Sequence, residues 1–461
     1  MSETITIDPV TRVEGHAKIT ILLEEGGAVS GVRFQVKEFR GFEKFCQGAF
    51  AERLPLLTSR ICGICPVSHH IASTKAVEDC FNTEISSTTA KLRELLLLGQ
   101  VIESHMFSLL ILSLPDLYEQ AAHSIVDMYR HDPVTMKKIL GIRSAGTHLI
   151  QVVGRRSGHP IGATIGGMVA PLTEEERASL LEELQAAEVQ IQWLSHIMRL
   201  IIEENNDLIQ NLGDIQTSYM SLTDRERLAF YDGTMKITQA DGSLQRSFEP
   251  HQYFDYLTEV HEPWTYMKTP VLISQGGVRV GPLARINNID SISTPLAQSE
   301  LTWFRNRWDH PVHKTLTYHY ARFIEIVYAL ERAKELLNDS GITSRDIYSQ
   351  PEIREGIGIG VVEAPRGTLV HQYHLDTQGK AQNITLVVST QHNNCGINES
   401  LTQAAKKLIS NSDPGEEELN KLEMVVRAYD PCISCSTHGM GDHQFLIECV
   451  DHQGVVLKEW R

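Results

Sequence analysis

The sequence predicts an α+β protein, predominantly helical, with a bundle of long helices at its centre and β-structure at its periphery. Three observations carry this. Apolar residues alternate with polar ones over residues 4–37, which is the period of a half-buried strand. From Gly41 to about Ile209 the spacing becomes helical, and one run is apolar on most sides, as suits a helix at the centre of a bundle. No internal repeat, low-complexity run or flexible linker divides the chain, so one interwoven unit is expected over residues 1–438.

The elements follow in order. Ile5 and Ile7, then Ile19, Ile21 and Leu23, then Val32, Phe34 and Val36 mark strands, with a turn at Glu25-Gly26-Gly27. One long helix is expected over about 86–113. Another follows Pro171, where Thr173 and Glu176 form a T-x-x-E capping box, and it runs as far as Ile202. Residues 215–290 are mixed, with a hairpin at Ala240-Asp241-Gly242-Ser243. Helices return at about 296–338, and residues 356–392, rich in Gly, Val and Thr, read as strands. A further helix ends near Ala428, and the tail from 440 holds strand-like runs.

At 461 residues and 51.8 kDa the chain can bury a deep core. Its formal charge of −16 argues against nucleic acid or an anionic lipid surface as partner. No stretch approaches 18 uninterrupted apolar residues, so no membrane span is expected. The start, MSETITIDP, lacks the basic and apolar regions of a secretory signal. A cytoplasmic location is the expectation.

Four of the eight cysteines form two C-x-x-C pairs, Cys62 with Cys65 and Cys432 with Cys435. Each C-x-x-C turn aims two sulfurs at one point, and two turns can surround a metal with four thiolates. Such soft ligands favour zinc, iron–sulfur or nickel over magnesium or calcium. A zinc staple uses the same set. Zinc ribbons, however, space their pairs about 15–20 residues apart, whereas these pairs lie at opposite ends of the chain. A site that joins them belongs to the whole fold, and the two pairs are expected to converge. A thioredoxin-type redox motif would explain only one pair. Cys46, Cys80, Cys395 and Cys449 lack paired spacing and read as ordinary thiols. Gly356-x-Gly358-x-Gly360 is a weak match to a dinucleotide fingerprint, because no helix is expected to follow it.

The blocks Arg60-x-Cys62-Gly63-x-Cys65-x-x-x-His69 and Asp430-Pro431-Cys432-x-x-Cys435-x-x-His438 resemble the paired signatures of nickel–iron hydrogenase large subunits. Thr11 to His16, Phe39 to Glu43 and Glu363 to Gly367 match between them, so the resemblance spans the chain. Glu38 to Phe45, Val278 to Leu283 and the stretch from Val361 to Tyr373 look most like the cytosolic NAD-linked branch.

This resemblance implies a large-subunit fold and a set of roles. Cys62 and Cys432 would bind nickel alone, while Cys65 and Cys435 would bridge it to an iron that carries carbon monoxide and two cyanides. Glu14 would relay protons from a terminal thiolate such as Cys432. Arg366 would face the open side of the metals, with Pro365 fixing its backbone and Asp116 and Asp430 pairing with it. His69 would hydrogen-bond a bridging sulfur. Thr390 would contact cyanide, although Ser389 and His392 stand where the family often has Pro and Trp. Glu43, the carbonyl of Leu386 and His438 would hold a magnesium ion, or iron in some relatives.

With no cluster motif of its own, the chain would need an iron–sulfur small subunit, and beyond it a flavin and NAD module. The resemblance also implies that residues 439–461 are an extension removed by a maturation protease after His438. Other readings stay open at this point. They are a hydrogenase of the same family that uses NADP or a deazaflavin, and a non-catalytic zinc-stapled scaffold. Hydrogenase-like subunits of respiratory NADH–quinone complexes are disfavoured, because they lack the four cysteines retained here.

Overall fold

The computed structural model describes residues 4–25, 27–118, 126, 129–130, 132–273, 275–410, 414–437, 447–450 and 456–460. For the last two stretches only the backbone is described. Near the start, strands Thr4–Ile7, Ala17–Leu23 and Val29–Val36 pair antiparallel in sequence order. Ile19, Ile21 and Phe34 are fully buried, as the alternation predicts.

The long central helix runs over Ser87–Phe107, continues as a π-helix over Ser108–Ser113 and ends in the short helix Leu114–Leu117. Pro115 accounts for the change of winding. It offers no N–H and its ring crowds the carbonyl four residues back, so the α pattern cannot persist there. The stretch is long and apolar enough to cross a membrane, but 83% of its most apolar window is buried inside the protein, which makes it a core helix. It crosses the Pro133–Gly154 helix where Gly99 meets Gly146. A Cβ on Gly146 would sit 2.8 Å from the Gly99 carbonyl oxygen, so glycine permits this close crossing.

The helix expected after Pro171 spans Glu174–Glu204, and both halves of its Thr173–Glu176 capping box are formed. The hairpin near residue 240 joins strands Thr234–Thr238 and Leu244–Phe248. The expected 296–338 region is two helices, Pro295–Arg307 and Tyr318–Asn338. Strands Gly356–Ala364, Gly367–Leu375 and Ala381–Val387 form an antiparallel sheet. The backbone of the tail holds two paired strands, Ile447–Val450 and Val456–Trp460.

Helix Pro66–Phe81 lies across the Gly356–Ala364 strand. Cβ atoms on Gly358 and Gly360 would overlap the carbonyl oxygens of Ala76 and Ala72. The glycine run is therefore a packing surface for a helix and not a phosphate loop. This contact sets the depth of the helix that begins at Cys65.

Candidate metal centre

The two C-x-x-C pairs converge. Their four sulfurs all lie within 4.8 Å of one another, and all four residues are buried. Cys62 Sγ is 3.3 Å from Cys432 Sγ, Cys65 Sγ is 3.5 Å from Cys435 Sγ, and Cys432 and Cys435 are 2.7 Å apart. None is at the ~2.05 Å of a disulfide. Cys65 precedes Pro66 and caps its helix, so its sulfur lies at a helix N-terminus. Cys432 follows the Glu416–Tyr429 helix, which ends on Asp430 with φ of 53°. Asp tolerates that left-handed turn, and the turn swings Pro431 and Cys432 back toward the first pair.

Crowding divides these thiols electrostatically. Hydrogen bonds from Cys432, then Cys435 and Cys62, hold Cys65 well below the usual thiol range against the effect of burial, and His69 adds to this. Burial, with its sulfur neighbours, pushes Cys432 well above that range, and burial does the same to Cys435. Four thiolates cannot gather in so dry a place without a cation, so the donor set fits a soft metal. Elsewhere burial pushes the lone thiols Cys46 and Cys395 up to about 11, as expected of inert residues. Cys449 lies among residues whose side chains are not described.

Glu14 reaches this centre. A parallel bridge joins its backbone to Cys432, and Ile433 N–H donates to its carbonyl. Its carboxylate accepts from Cys432 Sγ at 3.3 Å, from Ser434 N–H at 3.0 Å and from the Ser434 hydroxyl. Gly15, with φ of +83°, lets the chain pass within contact of Ile433.

Pro365 and Arg366 form the tip of a two-residue hairpin closed by the Ala364 and Gly367 pair. A Cβ on Gly367 would crowd Val280 and Gly281 N, and its φ is +131°. Behind the tip, Arg285 donates to the carbonyls of Ala364 (3.0 Å) and Pro365 (2.9 Å). It also pairs with Glu325 and Glu363, all three fully buried. This buried network fixes the tip and explains why a glutamate opens the Glu363 to Gly367 block. Arg366 then projects into a small cavity that it lines with Cys65, His69, Thr390, Cys432 and Cys435. Its Nε donates to the Asp430 carbonyl at 2.6 Å, and Nη2 to the Asp430 carboxylate at 3.0 Å.

One expected partner is elsewhere. Asp116 does not pair with Arg366 but with Arg12 and, at 2.7 Å, with Arg427. Asp430 already occupies the Nε–Nη2 edge of the Arg366 guanidinium, and the Ser104 hydroxyl stands 3.4 Å from Nη1. Two arginines converge on Asp116 instead, and they tie the segment before Glu14 to the helix before Cys432.

Thr390 Oγ1 accepts the Cys432 N–H at 2.9 Å, which leaves its own hydrogen to donate. His69 lines the same cavity as Cys65, and its Nδ1 lies 3.0 Å from His371 Nε2. His392 turns away from the sulfurs to Tyr253 OH at 2.7 Å. Glu43 accepts from Leu386 N–H at 2.8 Å. The Arg40 and Gly41 N–H groups donate to the Thr437 carbonyl, which brings the chain before His438 beside Glu43. His438 itself lies outside the described residues.

Sequence reasoning missed Ser434, Arg285, His371 and Ser104. Only Ser434 carried a signal, because the middle positions of a C-x-x-C loop commonly face what the loop surrounds.

The structure thus defines a protein in which four buried cysteines gather as a candidate metal site, flanked by a carboxylate and a guanidinium. A family model for nickel-dependent hydrogenases matches residues 40–133 and 197–438, and a HoxL-like model matches residues 4–39. The chain belongs to the nickel-dependent hydrogenase family. A relative from Methanococcus voltae, one of the subunits of its vhc F420-non-reducing hydrogenase, is 35% identical over 98% of both chains. The NAD-reducing hydrogenase HoxS subunit beta of Cupriavidus necator is 34% identical over 100% of this chain and 99% of its own. A solved NAD+-reducing [NiFe]-hydrogenase in the H2-reduced state superposes with a TM-score of 0.90 at 34% identity, covering 95% of this chain and 99% of that one.

Proposed function

We propose that this chain is the catalytic subunit that splits H2 heterolytically, and that the electrons leave through an iron–sulfur small subunit, then a flavin module, to NAD. The observation that carries the chemistry is the 3.3 Å contact between Glu14 and Cys432, one of four sulfurs gathered within 4.8 Å.

Cys62, Cys65, Cys432 and Cys435 would hold the nickel, with Cys65 and Cys435 shared with iron. When bound, this centre supplies the electron sink that H2 needs to part into protons and electrons. The chain's own groups handle the rest. Cys432 Sγ takes the proton, and Glu14 carries it onward while Ser434 holds the carboxylate in place. Arg366 presents a fixed positive charge on the cavity side, where it polarises the reacting molecule. Asp430 sets that charge in position.

Carbon monoxide and two cyanides on the iron agree with this lining. Thr390 retains a hydrogen to donate, and Arg366 offers N–H groups, both suited to a cyanide nitrogen. A magnesium ion, held by Glu43, the Leu386 carbonyl and His438, is supported by the approach of Thr437 to the Glu43 segment. Docking of the small subunit is supported by Phe45, Phe50 and Leu56, large apolar side chains left exposed on the segment leading to Cys62. NAD as carrier follows the NAD-reducing relatives, and such a complex would be cytoplasmic. Co-expression tests it. The chain purified with its iron–sulfur and flavin partners is expected to reduce NAD with H2. The chain alone is expected to give no NADH, and NAD reduction by the isolated chain would contradict the assignment.

Removal of residues 439–461 by a maturation protease also belongs to this reading. Cys435 and His438 must close over the metals, and a tethered tail would hold that segment open during loading. Active, nickel-loaded protein is expected to end at His438 by intact mass. Active protein that still ends at Arg461 would refute the processing.

A further inference from the structure

The turn 388–393 carries Thr390, whose hydroxyl accepts the Cys432 N–H at 2.9 Å and lines the cavity beside the cysteines. It follows the strand Ala381–Val387 and leads into the helix Asn394–Leu408. No proline fixes its backbone, since Ser389 stands where the family often has one. Side chains fix it instead. The Ser389 hydroxyl donates to the Gly367 carbonyl at 2.7 Å, beside the Arg366 tip, and the Asn393 side chain accepts the Val280 N–H at 2.9 Å. His392 closes the third side. Its Nδ1 lies 3.0 Å from the Val388 carbonyl, at the start of the same turn. Its Nε2 lies 2.7 Å from the hydroxyl of Tyr253, 139 residues away in sequence. We propose that Tyr253 and His392 form a buried latch that fixes this turn, and so aims the hydrogen of the Thr390 hydroxyl into the cavity at a cyanide of the metal centre.

Each hydrogen in the latch has one place. A carbonyl only accepts, so His392 Nδ1 carries the ring hydrogen and donates it to Val388. Burial pushes His392 down to about 4, so the ring holds that one proton and Nε2 keeps its lone pair. Tyr253 OH then donates to Nε2, and burial holds this hydroxyl well above its usual range, so the hydrogen stays on it. Tyr253 is itself anchored. Its ring belongs to the apolar cluster that contains Val370 and Val387, and it meets the His392 ring edge-on with centroids 5.9 Å apart. The latch therefore ties the start of the turn to the sheet that carries Arg366. With the Thr390 oxygen held by Cys432 N–H, the setting of the turn decides where the Thr390 hydrogen points. Tyr253 and His392 are fully buried and do not line the cavity, so both are positioning residues.

This rests on the reading above that the iron carries cyanide, and the test separates the two. Infrared spectra of the assembled, metal-loaded enzyme give the cyanide stretching bands. Thr390→Val, which keeps the shape and deletes the hydroxyl, is expected to shift one of these bands. Tyr253→Phe, which keeps the ring and deletes only its hydroxyl, is expected to shift the same band in the same sense by a smaller amount, with nickel content unchanged. Tyr328→Phe, whose hydroxyl bonds the Leu228 carbonyl at 3.3 Å and not this turn, is expected to leave every band in place. A merely structural role for Tyr253 would lower thermal stability and move no band. A band shifted by Thr390→Val but not by Tyr253→Phe would overturn the latch alone. Bands unmoved by Thr390→Val would overturn the cyanide contact and the latch's purpose with it, and an unmodified enzyme without cyanide bands would overturn the reading beneath both. If Tyr253→Phe does not assemble, His392→Phe, which keeps a ring in the packed space and removes both of its bonds, is read by the same criterion.

Discussion

Glu14→Gln is expected to lower H2/D2O exchange and turnover by about 10²–10⁴-fold, the usual range for loss of a positioned proton-transfer group, with nickel and iron contents unchanged. Gln preserves the size of the side chain and its carbonyl can still accept from Ser434, so the bridge to Cys432 should survive. What it loses is the ability to take and release a proton 3.3 Å from the sulfur. An exchange rate equal to that of the unmodified enzyme, in protein with full metal content, would remove Glu14 from the proton path.

Arg366→Lys is expected to retain the metals and lose about 10²-fold or more in H2 oxidation, the scale associated with removing one preorganised electrostatic donor. The guanidinium makes two bonds to Asp430, one to the carbonyl and one to the carboxylate, while still facing the cavity. An ammonium group is a point charge and cannot span both. A lysine would either follow Asp430 and leave the cavity or enter the cavity and leave the buried carboxylate unpaired. Steady-state H2 oxidation at matched nickel content measures this, and a Lys variant of undiminished rate would show that the fork is not needed.

The metal ligands were legible because C-x-x-C is a local motif whose geometry is nearly independent of the rest of the chain. The family blocks then located Glu14 and Arg366, and the hairpin explains why a proline and a glycine flank the arginine. Asp116 was not legible in the same way. Choosing among Arg12, Arg366 and Arg427 as its partner depends on where three distant segments meet. Arg285 had no local signature either, since it acts by holding carbonyls of a strand far away in sequence. His371 and Tyr373 show the alternation of a strand, but their alignment with His69 exists only once helix and sheet are packed. The boundaries of the long central helix were close, while its π-wound end follows from Pro115.

The central claim is that four buried sulfurs from the two ends of the chain hold a nickel–iron pair. Metal analysis of the anaerobically purified, partner-assembled protein tests it most directly, with the small subunit's iron determined separately and subtracted. The account predicts one nickel and one iron per chain, both lost on replacing Cys65 by Ser. Zinc at one per chain, with neither nickel nor iron bound by these cysteines, would contradict it.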